Sequence, residues 1–205
     1  MLRPILFAAA TLALATSAHA GGVPTAPQPP VVITPPAPVE QWSGFYGGVQ
    51  LEFGRGDIDY GAIPGAAFPD ADVDGHLAGI FFGYRHDYGS IVFGTEFDYV
   101  AGELDADTPG IDSIDSVMRA TLELGLDTGN AFIYGTAGVH GTTVSTGIAI
   151  DDMDWGPVYG IGMDYRLNDR MTIGAELLQH EVDDFSGSGA DLSFTTLGLN
   201  VGFQF

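Results

Sequence analysis

The sequence contains no cysteine and no lysine, and only six of its 205 residues are basic. Without cysteine, the chain forms no disulfide, thiolate nucleophile or thiolate metal site. Binding of nucleic acid requires a basic patch that releases counterions from phosphates, and six arginines among 27 acidic residues cannot supply one. Nucleic acid is therefore excluded as a partner. Any chemistry must come from carboxylate, hydroxyl and imidazole groups.

The charge and the hydropathy of the chain point in different directions. The formal net charge is -21, yet 45% of the residues are hydrophobic and the mean hydropathy is positive. So large an excess of charge usually accompanies low hydrophobicity and disorder. The acidic and the apolar residues must therefore occupy different parts of the folded chain.

The first 41 residues differ in composition from the rest. Arg3, an apolar run over residues 5–15 and the small residues around Ala18-His19-Ala20 predict a cleaved secretory signal over residues 1–20. The run is too short for a transmembrane helix, which needs about 20 apolar residues. Residues 21–41 contain seven prolines and predict a semi-extended linker.

From Trp42 onward, large apolar residues alternate with small or polar ones, which is typical of β-strands with two different faces. The alternation recurs in segments of about ten residues, the length of a tilted strand that crosses a bilayer. The predicted strands span residues 44–55, 76–86, 91–99, 116–126, 131–140, 155–167, 171–181 and 193–205. Residues 42–205 are thus predicted to form an all-β fold, an eight-stranded antiparallel up-and-down transmembrane β-barrel.

The predicted connections between these strands alternate in length. Short turns are expected at residues 87–90, 127–130 and 168–170, and long connections at residues 56–74, 100–115, 141–154 and 182–191. An even number of strands with short turns at one end and long loops at the other is typical of outer-membrane barrels. The alternative is a soluble ligand-binding barrel of the lipocalin type. Polar residues on the would-be inner face and frequent glycine within strands disfavour it.

The alternation also assigns the charged residues to places. Most of the acids fall in the four long connections. The interior of the barrel is predicted to hold a polar network of Glu52, Arg85, Glu96, Asp98, Arg119, Glu123, Asp164, Arg166 and Glu176. An eight-stranded barrel has room only for its own side chains, so ion pairs are expected to form a plug rather than an open channel. A narrow cation-preferring path is the alternative, because the carboxylates outnumber the arginines.

Three short motifs carry a resemblance to a known family. The opening Trp42-Ser43-Gly44-Phe45-Tyr46-Gly47-Gly48, the segment Gly94-Thr95-Glu96-Phe97-Asp98-Tyr99 and the terminal Phe203-Gln204-Phe205 resemble small outer-membrane barrels of the porin family, OmpA-like and of alphaproteobacterial type. The resemblance implies an integral outer-membrane barrel, a fold that hosts pores, anchors, adhesins and lipid-modifying enzymes. Because polar side chains are expected to plug its lumen, the chain is predicted to have a structural role in the envelope with little or no pore activity. The resemblance also implies that residues 21–41 lie in the periplasm.

The resemblance further implies the partners of the chain. These are outer-membrane lipid, lipopolysaccharide and, during biogenesis, the barrel assembly machinery, which reads Phe203 and Phe205 as a signal. An aromatic belt at the membrane surfaces is expected to include Trp42 and Phe45 at the periplasmic end and Tyr99 and Trp155 at the outer end.

One acidic segment is a candidate cation site. Asp70, Asp72 and Asp74, followed by Gly75, match the start of an EF-hand loop, but Phe81 stands where the bidentate glutamate is needed. The segment is therefore not an EF-hand, although weak binding of Ca²⁺ or Mg²⁺ at the external loops stays open. No tightly held metal and no cofactor is predicted.

Two other functions remain as alternatives. His76, His140 and His180 are expected at the outer ends of strands, where a lipid A hydrolase or acyltransferase would hold its base, but no serine stands beside His180. An enzyme is therefore not predicted. Adhesion through apolar residues of the long loops, among them Tyr60 and Phe185, is the second alternative.

Overall fold

The computed structural model describes residues 41–59, 71–108, 111–145, 152–183 and 191–205. The predicted signal over residues 1–20 and nearly all of the predicted linker lie outside these ranges. Within them, no helix has both the length and the apolar character needed to cross a membrane.

Eight β-strands form a closed barrel in which each strand pairs antiparallel with its neighbours along the chain. The strands are β1 (Gly44–Asp59), β2 (Ala71–Asp87), β3 (Ile91–Thr108), β4 (Ile111–Asp127), β5 (Ala131–Ser145), β6 (Asp152–Arg166), β7 (Met171–Val182) and β8 (Asp191–Gln204). The predicted fold class and the number of strands are confirmed. Closure removes the free edges of the sheet over the height at which all eight strands pair, and β6 pairs with β7 from Val158 onward.

The barrel closes where β1 meets β8. The register runs from Tyr46 opposite Gln204 to Asp59 opposite Asp191. Beyond β8, the Phe205 N–H donates to the Phe45 carbonyl over 2.9 Å. Both aromatic rings of the predicted assembly signal point away from the barrel, with Phe203 47% and Phe205 87% exposed.

Tight turns join the strands at one end of the barrel, called here the turn end. In two of them an aspartate accepts a hydrogen bond from the glycine two residues later, Asp87 from Gly89 and Asp127 from Gly129, each over 2.6 Å. Both glycines have positive φ angles, 100° and 92°, which other residues rarely adopt. The opposite end, where the longer connections lie, is called the loop end.

The outward face of the barrel is a continuous apolar wall over most of its height. Leu122 on β4 is 56% exposed and Leu199 on β8 is 49% exposed, while Glu123, the neighbour of Leu122, points inward and is buried. The predicted assignment of the two faces is therefore correct for these strands, and the wall has the character that contact with lipid requires.

The strands extend further at the loop end than the sequence predicted. Most of the long connection expected over residues 100–115 is strand, because β3 continues to Thr108 and β4 begins at Ile111. Here the hydrophobic alternation has the opposite phase. Val100 and Leu104 point inward and are fully buried, whereas Glu103 and Asp105 point outward.

The same inversion occurs along β2 and β8. On β2 the outward residues change from Phe82 and Ile80 to Asp74, while Val73 turns inward. On β8 the outward residues change from Leu197 to Ser193, and Phe194 lies inside. The prediction failed here because it looked for an apolar outward face, which these strand ends do not have.

Candidate functional site

The interior of the barrel is the candidate site, and its side chains form three layers. An ionic layer occupies the middle, and it is called here the ionic belt. An apolar cluster, the apolar cap, lies above it towards the loop end. A smaller aromatic cluster closes the turn end.

The first group of the ionic belt is centred on Arg85 of β2. Its Nε donates to Glu123 Oε2 over 2.7 Å, and its Nη1 donates to Asp164 Oδ2 over 2.6 Å. The Tyr46 hydroxyl also donates to Glu123, over 3.2 Å. Gly94 leaves the space for this pairing, since a Cβ there would lie 2.4 Å from Glu123 Oε2. The guanidinium therefore bridges β4 and β6 across the lumen.

The second group of the belt is centred on Arg119 of β4. Its Nε donates to Asp98 Oδ1 over 2.6 Å, and its two terminal nitrogens donate to the carboxylate of Glu52. All three side chains are almost completely buried. This group ties β1, β3 and β4 together from inside the barrel.

Three residues of the predicted network do not join these groups through ion pairs. Among the described residues, every salt bridge uses Arg85 or Arg119, so Glu96 and Glu176 have no arginine within ion-pair distance. Arg166 lies at the turn end, where its guanidinium stacks 4.6 Å from the centre of the Trp42 ring. The belt thus holds six carboxylates against two guanidinium groups.

The apolar cap was not predicted from the sequence. It consists of the buried side chains Val73, Leu77, Val100, Leu104, Ile114, Val117, Val182, Leu192 and Phe194. Most of these residues fell in segments predicted to be loops. The signal that would have found them is the inverted alternation at the strand ends, with apolar residues inward and acids outward.

Two histidines lie between the ionic belt and the apolar cap. His140 and His180 point inward and are both fully buried, and their rings meet edge to face at 4.9 Å. The His180 ring also stacks on Phe194 at 4.3 Å. Its Nε2 lies 3.2 Å from Arg119 Nη1, which can only donate, so Nε2 accepts this bond. His76 points outward on β2 and belongs to neither layer.

The prediction that Trp42 belongs to an outward aromatic belt is wrong. Trp42 is only 3% exposed and packs inside the turn end in a cluster with Val92, Phe132 and Tyr134. The other three aromatic residues named for the belt are exposed: Phe45, Tyr99 and Trp155. Trp42 precedes β1 and is free of the strand alternation, which is why its position could not be predicted from the pattern.

The predicted cation segment is strand where the structure describes it. Asp72 and Asp74 lie on β2 with exposed side chains, and Asp70 lies outside the described residues. Side chains two apart on a strand point the same way without converging as in an EF-hand loop. In the described part of the chain, no group of three or more histidines and acids is arranged to hold a metal ion.

The arrangement in the lumen favours rigidity over chemistry. Both inward histidines are sealed from solvent, and their described polar contacts are to Thr142, the Glu181 carbonyl and Arg119. A substrate has no access to such groups. The interior can therefore hold strands in register and exclude water from its buried side chains.

Comparisons with known proteins agree with this architecture. The structure is similar to that of Ail, the attachment invasion locus protein of Yersinia pestis, with a TM-score of 0.50 and 14% identity over 79% of this chain and 99% of that chain. It is also similar to Neisserial surface protein A, with a TM-score of 0.51 and 16% identity over 80% of this chain and 98% of that one. Identities this low show a shared fold. No curated protein matches the sequence.

The family comparison covers almost the whole chain. Residues 6–205 match the model of the outer membrane protein beta-barrel domain. The outward apolar wall, the closed sheet and this match place the protein in the outer membrane. In barrels of this kind the short turns face the periplasm. The chain belongs to the outer membrane protein beta-barrel domain family.

Proposed function

We propose that the protein is a structural component of the outer membrane whose barrel is sealed and does not conduct ions. The observation that carries this proposal is the layered lumen. Arg85 and Arg119 fill its middle with buried ion pairs, and the apolar cap fills its outer end. Neither layer leaves a continuous polar route along the axis.

The apolar cap argues against the narrow cation path. The uncompensated carboxylates of the belt would attract cations, but an ion leaving the belt towards the outside must pass side chains such as Leu77 and Leu104, which are fully buried. Apolar constrictions block conduction by excluding water, and moving an unpaired charge into apolar surroundings is strongly unfavourable.

Planar-bilayer recording of the refolded full chain tests the proposal. We expect no conductance steps above background over a range of voltages. A conducting porin recorded in the same bilayers shows that insertion and detection work. Regular steps that reverse at a cation-selective potential would contradict the proposal and support the narrow cation-preferring porin.

A second candidate function is contact with other surfaces at the outer end. The outward residues there are mostly acidic, including Asp57, Asp72, Asp74, Glu103 and Asp105. Such a rim favours basic partners, or divalent cations that bridge it to lipopolysaccharide phosphates, over anionic ones. Binding of cells to vesicles that carry the protein would support adhesion if it falls in variants with these acids replaced by amides.

The burial of both inward histidines in the described part of the chain supports a non-enzymatic role. His140 and His180 are buried, and a lipid substrate would need an exposed nucleophile and base. We expect lipid A to have the same mass spectrum with and without overexpression of the protein. The partners inferred for the chain are thus outer-membrane lipid, lipopolysaccharide and, during biogenesis, the barrel assembly machinery.

A further inference from the structure

Trp42 closes the periplasmic end of the lumen without being part of the sheet. The residue precedes β1 and is buried against Phe132, with the ring centres 5.6 Å apart. Its indole Nε1 donates to Asp127 Oδ1 over 3.1 Å, and its face carries the Arg166 guanidinium. Each of these contacts is made by a side chain, so Trp42 is held in place without a single ladder hydrogen bond.

The backbone beside Trp42 has the form of a hinge. Gly44, the first residue of β1, has a φ angle of 133°, a conformation that residues with a Cβ rarely adopt. Before it, Ser43 is fastened by side-chain contacts: its hydroxyl accepts from the Asp87 N–H over 2.9 Å, and its carbonyl accepts from Gln204 Nε2 over 2.6 Å. The backbone N–H groups of Gln41 and Trp42 also donate to Asp87 Oδ2, over 3.0 and 3.4 Å. Movement of the segment about Gly44 would break these side-chain bonds but no bond of the sheet ladder.

Only a thin layer separates Trp42 from the ionic belt. The Phe132 and Tyr134 rings stack at 4.7 Å, and the Arg85 guanidinium lies 4.7 Å from the first ring centre and 5.4 Å from the second. Loss of Trp42 would therefore bring water close to the Arg85 group. The apolar cap, whose side chains all come from strands, would stay in place.

We propose that Trp42 is a hinged plug at the periplasmic mouth, and that its release opens a water-filled vestibule reaching the ionic belt while the outer end stays shut. The two closures differ in chemistry. The outer closure can open only if strands separate, whereas the inner one includes Trp42, which lies outside the sheet and is held by the hydrogen bonds of its indole and of its backbone N–H. The proposal rests on the sealed barrel proposed above and adds a movable part to it.

Single cysteines test the plug directly, because the natural chain has none. Val92 and Val100 both lie on β3, point inward and have 0% exposure. Val92 belongs to the cluster that contains Trp42 at the turn end, whereas Val100 belongs to the apolar cap. We would place Val92→Cys or Val100→Cys in the full chain, refold it in detergent micelles and measure modification by a positively charged methanethiosulfonate.

Adding Trp42→Ala is expected to speed modification at position 92 by at least about tenfold, because a buried thiol reacts in proportion to the open population. Modification at position 100 is expected to stay slow in the same background. Trp42→Phe keeps a ring but loses the indole donor, so an intermediate rate at position 92 is expected. Heat-dependent electrophoretic mobility shows that each variant is folded.

Trp155→Ala provides the matched control, since Trp155 is the only other tryptophan and is 60% exposed on the outer wall. It should change neither rate. The proposal is wrong if the cysteine at position 92 is modified as fast in the protein that retains Trp42 as in Trp42→Ala. It is also wrong if this cysteine stays protected from modification in Trp42→Ala. Conductance of the unaltered protein would refute the sealed barrel but not the plug, so the two failures are distinguishable.

Discussion

The imidazole of His140 donates through Nε2 to the backbone carbonyl of Glu181, 3.2 Å away. This bond replaces one that the sheet cannot make. The N–H groups of odd-numbered β6 residues point at β7, as Leu167 shows by donating to the Met171 carbonyl over 2.8 Å. Pro157 has no N–H to offer, and the β6–β7 register accordingly begins at Val158 opposite His180.

Replacing His140 should therefore weaken the barrel through this carbonyl. His140→Phe leaves the Glu181 oxygen without its side-chain donor, and we expect the free energy of unfolding to fall by about 1–3 kcal/mol. Urea unfolding of refolded protein in lipid vesicles measures this. Pro157→Ala restores a backbone donor, so the cost of His140→Phe should shrink in that background.

His76→Ala is the control for this double-mutant cycle, because His76 is exposed on the outward face of β2. It should leave the free energy of unfolding unchanged. Equal costs of His140→Phe with and without Pro157→Ala would show that the two residues act independently, against the compensation inferred here.

The stability cost of an arginine on the outward face should distinguish the part of the wall that contacts lipid from the part above the membrane. Leu199→Arg, in the apolar part of the wall, is expected to cost about 2–4 kcal/mol of folding free energy in vesicles. Glu103→Arg, on an outward position of the inverted segment of β3, should cost nothing measurable. If both cost the same, the membrane boundary has been placed wrongly.

Replacing Arg119 alone should lower the free energy of unfolding more than replacing Arg119 together with its two carboxylate partners. Arg119→Met strands the buried carboxylates of Glu52 and Asp98, and we expect a loss of about 3–5 kcal/mol. Adding Glu52→Gln and Asp98→Asn should recover much of that loss, because the two side chains that Arg119 had paired then carry no charge. Denaturant unfolding of the single and triple variants checks the order, and a triple variant less stable than the single one would contradict it.

Like charges face each other across the outer strands, and their repulsion should depend on salt. Asp74 of β2 lies directly opposite Asp105 of β3, and Asp57 lies opposite Asp72. Asp105→Asn removes this repulsion and leaves Asp74 opposite Arg55 of β1, so it is expected to raise the melting temperature at low ionic strength and to have less effect at high salt. Millimolar Ca²⁺ should stabilise the unaltered protein more than this variant. Equal stabilisation by Ca²⁺ would exclude a role of these residues in cation binding.

The barrel was predictable because its strands obey one rule over most of their length. Contact with lipid requires apolar residues on the outside of the barrel, and polar residues then point inside. The position of residues such as Leu122 and Glu123 in the alternation is therefore enough to predict which face they occupy. The inward carboxylates and arginines followed from the same alternation. The pairing of Arg85 with Glu123 and Asp164 did not, since partners across a lumen depend on the shear of the barrel.

Two features of the interior could not be predicted from the sequence, for different reasons. The apolar cap lies where the alternation inverts, so that Leu104 looked like a loop residue beside its acidic neighbours. Trp42 has no strand partner, and its burial depends on contacts with Asp127 and Arg166, which are distant in sequence. Neither position can be derived from a local pattern.

The strand ends at the loop end, where apolar residues point inward and acids outward, extend above the membrane. From Tyr99, the last aromatic of the outward wall on β3, to Asp105 the strand runs a further six residues, or roughly 20 Å at ~3.4 Å per residue. With the usual strand tilt, this raises the end of β3 by roughly 15 Å. The lower part of the barrel thus has an apolar outward face suited to lipid, and the upper part has a polar outward face suited to water. The strand ends from which the outer connections start therefore stand above the lipid headgroups.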